Sequence, residues 1–175
     1  KMEQKYAAVV EELYSKEETK AEANAILKVH FDLLRKFTQN NVFLLFDEKI
    51  ILAQGELMST AMVNLYLQEI GIKSVLLPAL DFMRSNADGE PDLKYIKENV
   101  EAVLAANAGK DIYITQGFIC RNPEGHIDNL QRGGSDYSAS IVGAMIGAEE
   151  VQIWTDIDGM HNNDPRIVDK TSPVR

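Results

Sequence analysis

The sequence predicts an α/β fold: a largely parallel sheet with helices on both faces. Three observations carry this expectation. Helical periodicity alternates with short apolar, β-branched runs. Glycines stand where these segments end. Polar loops rich in chemistry follow the apolar runs, as ligand loops follow the strands of open parallel sheets.

Taken in order, residues 1–37 read as helical, with apolar positions at Val9, Val10, Leu13, Ile26, Val29, Leu33 and Leu34. Ser15-Lys16-Glu17-Glu18 fits a capping box, so a second helix is expected to start there. Helix resumes over 46–53, is expected to break at Gly55, and continues from Glu56 to Ile70. Met58, Ala61, Met62 and Leu65 share a face, and Gly71 suits a C-terminal cap. Ser74–Leu77 reads as a buried strand ended by Pro78. A turn-rich loop covers 86–91, and Asp92 to about Ala106 is a third helical block. Ile112–Thr115 reads as a strand that Gly117–Cys120 extends, followed by an Asn122-Pro123-Glu124-Gly125 turn. A helix is expected from near Tyr137 to Ile146, closed by Gly147, and Val151–Trp154 as a last strand.

The chain has 175 residues, 45% hydrophobic and 26% charged, enough for one ordinary domain with a core. A net charge of −9 and a pI near 4.8 argue against nucleic acid or an anionic membrane as partner. One cysteine excludes an internal disulfide framework. No apolar run reads as long enough to cross a membrane, and no signal-peptide pattern appears. The expected setting is the reducing cytoplasm. His30, His126 and His161 are scattered and Cys120 stands alone, so no metal ligand set is assigned. Cys120 is expected to be a small buried residue at a strand end. Neither a P-loop nor a dinucleotide glycine motif is present.

The stretch Gln131-Arg132-Gly133-Gly134-Ser135-Asp136 sets a cation, two glycines, a hydroxyl and a carboxylate before an apolar helix. A helix start attracts anions through its unpaired N–H groups and dipole. Glycines let backbone approach a ligand, and arginine grips carboxylate or phosphate with two hydrogen bonds. The same residues also suit a tight turn with Ser135 or Asp136 as the helix cap. A second polar loop holds Thr155, Asp156, His161 and Asp164-Pro165-Arg166, where a nucleotide could be read or an ordinary turn made. Glu56, set beside Gly55, suits either a helix first turn or an ammonium-bearing ligand.

These motifs resemble aspartokinase, of the amino-acid kinase family. The resemblance rests on Arg132-Gly133-Gly134-Ser135-Asp136-Tyr137-Ser138-Ala139, Trp154-Thr155-Asp156-Ile157-Asp158-Gly159, Asp164-Pro165-Arg166 and Gly55-Glu56-Leu57-Met58-Ser59, in the family's order. It implies an αβα sandwich with a mainly parallel sheet, and ATP- and Mg²⁺-dependent phosphorylation of the β-carboxylate of L-aspartate. That reaction gives 4-phospho-L-aspartate for lysine, threonine and methionine synthesis. It implies that Glu56 meets the substrate ammonium, and that Arg132, Gly133, Gly134 and Ser135 hold the substrate carboxylate and face the transferred phosphoryl. Asp136 would sit near the same centre, orienting groups or Mg²⁺, and Arg132 and Asp136 would be the catalytic residues. Thr155, Asp156, His161 and Arg166 would contact the nucleotide, His161 standing where an aromatic residue is common and Gln131 where glycine is common. No protein-held metal site is implied.

The family's Lys-Phe-Gly-Gly-Thr-Ser start and its later lysine-bearing nucleotide segment have no counterpart here. The expectation is therefore the central part of a catalytic domain, incomplete at both ends and inactive alone. Residues 1–40 would be a helical insertion, and 43–175 the substrate- and nucleotide-binding core. The full-length protein is expected to be a homo-oligomer. The competing readings are a glutamate, acetylglutamate or nucleoside monophosphate kinase of the same fold, or a non-catalytic oligomerisation segment.

Overall fold

A computed structural model describes residues 1–39, 42–130, 133–154, 161–164, 167, 168, 170–172 and 174. The first three helices are α1 (Met2–Leu13), α2 (Glu17–Gln39) and α3 (Leu45–Glu69). They share one apolar cluster, with Val10 from the first and Tyr14 just past its end, Ala23, Leu27 and Phe31 from the second, and Met58, Met62 and Leu65 from the third. The expected α3 face is the one that is buried. On α2 the buried stripe is Ala23–Leu27–Phe31, at i, i+4, i+8, whereas Val29 is exposed. The expected Ile26 and Leu34 are half-buried at the edge of the same cluster. Tyr14 donates to the Met62 carbonyl at 2.8 Å; its burial, with Glu69 and Glu22 nearby, pushes its pKa up to about 12.

A second helix does begin beyond Ser15, as expected. The Ser15 and Lys16 N–H groups at this turn donate to the Glu69 carboxylate, at 2.7 and 3.3 Å. The last residue of α3 therefore holds the α1–α2 corner. At its own start, Asp47 accepts from the Leu44 N–H at 2.9 Å.

The expected break at Gly55 does not occur, and α3 runs through it unbroken. A glycine in a helix interior costs about 1 kcal/mol relative to alanine. Buried Ala53, Gln54 and Met58 on either side anchor the helix against that cost. The membrane expectation also needs correction. The stretch Phe46–Glu69, with mean hydropathy 1.2, is long and apolar enough to cross a membrane by length and composition. In this structure it is the central helix, packed on α2 and on the strands below.

The strand β1 (Ser74–Leu77) pairs in parallel with β2 (Ile112–Thr115), Ser74 opposite Ile112 and Leu77 opposite Thr115. The crossover between them carries a short helix α4 (Ala79–Phe82) and then α5 (Leu93–Ala106). Pro78 ends β1, having no N–H for the ladder. Asp92 caps α5 by accepting from the Tyr95 N–H at 3.1 Å, and pairs with Arg84 at 2.6 Å. The Arg84 guanidinium lies 3.7 Å over the Tyr95 ring.

Residues 117–120 do not extend β2. Phe118 takes φ +67°, the chain turns, and β3 (Ile119–Arg121) starts in a new direction. It pairs antiparallel with β4 (Ile127–Asn129) across the expected Asn122–Gly125 turn. Lys49 of α3 pairs with Asp128 of β4 at 2.5 Å and ties this hairpin to the helix. Last comes α6 (Gly134–Ile146), closed at Gly147 with φ +64°.

The main core lies between sheet and helices, with Leu77, Phe82, Met83, Ile96, Val100, Ile119 and Ile141 at its centre. Cys120 is buried there, as expected, and burial pushes its thiol up to about 11. Residues 151–154 are not a strand. A strand needs a ladder partner, and none of the described residues pairs with this segment. Val151 rests on Gly143 of α6, and Trp154 is 89% exposed.

Candidate active site

The site is built where the carboxyl end of β2 meets the amino end of α6. Two glycines set the distance between them. A Cβ on Gly117 would lie 2.9 Å from both Cα and Cβ of Ser135. A Cβ on Gly134 would lie 2.9 Å from the Phe118 ring and 3.1 Å from Leu130 Cβ. Neither approach leaves room for a side chain. Gly133 adopts φ +75°, a conformation open to glycine at little cost, and turns the chain into the helix.

This helix starts at Gly134, three residues before the expected position. No side chain caps it. Ser135 and Asp136 therefore occupy its first turn and do not serve as caps, which removes the capping explanation for them. Both are exposed, at the end where backbone donors and the dipole favour negative charge. Ser138, one turn in, is buried. Its hydroxyl accepts from the Phe118 N–H at 3.0 Å and donates to the Gly134 carbonyl at 2.7 Å. It locks the β2–β3 corner onto the helix.

Between these elements lies a cleft of about 250 Å³, lined by Thr115, Gln116, Gly117, Ser135, Ser138 and neighbouring α6 side chains. The Thr115 hydroxyl is buried and makes no hydrogen bond among the described residues. A larger groove between α1 and α2, about 350 Å³, is bordered by Glu3, Lys28 and Arg35. There Arg35 pairs with Glu3 and Asp32, and Lys28 with Asp32, so its charges are already matched.

Glu56 lies in the interior of α3, half-buried, and not at a helix start. The dipole argument for its carboxylate therefore falls. Its turn is nevertheless tied to the cleft. The Thr60 hydroxyl donates to the Glu56 carbonyl at 2.7 Å and accepts from Gln116 Nε2 at 2.7 Å. His161 is not among the cleft's lining residues; its Nδ1 lies 3.3 Å from Thr171 Oγ1. Arg132, Thr155, Asp156 and Arg166 lie outside the described residues.

Three contributors were missed in the sequence: Thr115, Gln116 and Ser138. Gln116 left a signal, a polar side chain closing an apolar strand just before a glycine. Among the described residues no three His, Cys, Asp or Glu side chains gather as a metal site.

Comparison with known proteins identifies relatives of the chain. Residues 4–175 match the model of the amino acid kinase family. The chain is 35% identical to lysine-sensitive aspartokinase 3 of Escherichia coli over 121 residues, 67% of this chain and 27% of that protein. It is 31% identical to the aspartokinase of Chlamydia trachomatis over 180 residues, 97% of this chain and 40% of the relative. The crystal structure of E. coli aspartokinase III in complex with aspartate and ADP superposes with a TM-score of 0.77 at 28% identity, covering 94% of this chain and 37% of that one. The chain thus spans well under half the length of these relatives. On the match of nearly its whole length, and on the shared fold, the chain belongs to the amino acid kinase family.

Proposed function

We propose that this chain is the central part of an aspartokinase catalytic domain. In the complete protein it transfers the γ-phosphoryl group of ATP to the β-carboxylate of L-aspartate, the first step towards lysine, threonine and methionine. Residues 1–40 are a helical insertion and 43–175 the substrate- and nucleotide-binding core. The observation that carries this reading is the glycine crossing of Gly117 and Gly134. It opens the amino end of α6 onto a cleft at the carboxyl end of a parallel strand.

The chemistry suits these residue types. An aspartate side chain, with a pKa of about 3.9, is already ionised at neutral pH and needs no general base. Its carboxylate oxygen attacks the γ-phosphorus, the bond from phosphorus to the bridging oxygen breaks, and ADP departs with that electron pair. The difficulty is electrostatic, because an anionic acceptor approaches a polyanion. Catalysis is then positioning and charge stabilisation. In this reading the first-turn N–H groups of α6, with Gly133, Gly134 and Ser135, hold the substrate carboxylate and face the phosphoryl. Arg132 supplies cationic charge, Asp136 orients groups beside it, and Glu56 receives the substrate ammonium. Thr155, Asp156, His161 and Arg166 contact the nucleotide. Magnesium would enter with ATP and supply charge to its phosphates; the described residues gather no ligand set of their own for it. The complete enzyme is a cytoplasmic homo-oligomer.

The test is hydroxylamine trapping of aspartyl phosphate with Mg-ATP, on this chain and on a version extended at both ends. Hydroxamate from the extended protein alone is the expected result. Hydroxamate from this chain would overturn its proposed inactivity. Silence in both would remove aspartate as the acceptor.

A further inference from the structure

Gln116 is a buried amide whose two ends are both engaged. It is 2% exposed, lines the cleft, and directly precedes Gly117. Its Oε1 accepts from the Ala79 N–H at 2.8 Å, and its Nε2 donates to Thr60 Oγ1 at 2.7 Å. A backbone N–H can be accepted only by the amide oxygen, so the first contact fixes the amide's orientation. The Thr60 hydroxyl, used as an acceptor on one side, donates to the Glu56 carbonyl on the other. One directional chain therefore runs from the end of the parallel sheet, through Thr60, to the Glu56 peptide. An apolar side chain of similar length would fill this space but leave the buried Ala79 N–H without its acceptor and Thr60 Oγ1 without its donor. What the amide adds is a fixed relation between three elements: β2, the β1–α4 corner and the Glu56 turn of α3.

We propose that Gln116 is a positioning residue that, through Thr60, sets the Glu56 turn against the cleft and so places the amino-acid substrate's ammonium end. The inference rests on the reading of Glu56 as the ammonium partner. A purely structural amide, capping the start of α4, would act on stability and on both substrates alike.

The complete protein carrying this sequence, assayed for aspartyl hydroxamate, separates the two. Thr60→Val keeps the shape and removes both hydrogen bonds. It should raise the KM for aspartate roughly tenfold, about the worth of one buried hydrogen bond. The KM for ATP should not change. Thr60→Ser, which keeps the hydroxyl, should restore the unaltered value. Gln116→Met should match Thr60→Val, and the double variant should be no worse than either alone. If Gln116→Met does not fold, the Thr60 pair carries the test. An unchanged KM for aspartate, or an equal rise for both substrates, overturns the proposal while leaving the aspartate reading intact. No hydroxamate from the unaltered complete protein overturns that reading and this inference with it.

Discussion

At the scale of single residues, the same substitution should act in opposite directions at two glycines. Gly117 faces backbone and Cβ atoms of Ser135 at 2.9 Å, with no flexible side chain to move aside. Gly117→Ala should destabilise the fold by about 1–3 kcal/mol, the usual cost of overpacking. Gly55 has nothing within 4 Å of its absent Cβ and sits in a helix interior. Gly55→Ala should stabilise by about 0.5–1 kcal/mol through helix propensity and a less flexible unfolded chain. Urea titrations of both variants would check the signs. A neutral Gly117→Ala would mean that the crossing at the cleft is looser than its geometry. Both glycines were visible in the sequence, but their roles were not equally legible. Gly55 looked like a helix break because local propensity takes no account of the packing that holds α3 straight. The helix start at the Gly133–Asp136 stretch was legible to within one turn, because the chemistry of a helix start is local. Gln116 was not, because its two partners, Ala79 and Thr60, lie 37 and 56 positions away in sequence.

At the scale of elements, the α1–α2 corner depends on a carboxylate borrowed from α3. The Glu69 carboxyl is held below the usual carboxylate range, chiefly by a hydrogen bond from Thr19 and by the Ser15 N–H, with Lys16 adding to both effects. A depressed folded pKa means that the charged form is favoured in the folded state. Its contribution is therefore complete above the unfolded pKa of about 4.3 and is lost as pH falls through the lower folded value. Glu69→Gln should lower the melting temperature at pH 7 and flatten its fall between pH 5 and 3. Melting curves across that window are the check; an equally steep fall in the variant would show that the corner draws nothing from this charge. The elements themselves were largely legible. Periodicity located α3's buried face and α5, and Pro78 and Gly147 marked real ends. The start of α2 was found through Ser15–Glu18, although the donors there turn to Glu69, a partner no local pattern could name. On α2 the expected Ile26 and Leu34 do pack at the edge of the cluster, but its centre is Ala23–Leu27–Phe31 and Val29 is exposed, because contact with α3 decides which face is buried.

At the scale of the whole molecule, the reading of an α/β layer held, while the two extended segments flanking α6's neighbourhood behaved differently from expectation. Residues 117–120 turn away from the sheet at Phe118, since a positive φ cannot continue a ladder. Residues 151–154 have strand composition but no ladder among the described residues, and strand formation depends on that ladder more than on composition. Trp154, the sole tryptophan of the chain, reports directly on this segment. At 89% exposure it should emit at long wavelength and be freely quenched by acrylamide in the chain as it stands. If the complete protein is the proposed catalytic domain, residues 151–154 should gain a strand partner beside the sheet. That ladder would bury alternate side chains and set the following residues, Thr155 and Asp156, at a strand's carboxyl end. Trp154 emission should then shift to shorter wavelength, and quenching should fall. Equal quenching in the chain and in the complete protein would mean that the segment stays outside the sheet. The nucleotide roles proposed for Thr155 and Asp156 would then lose their structural basis.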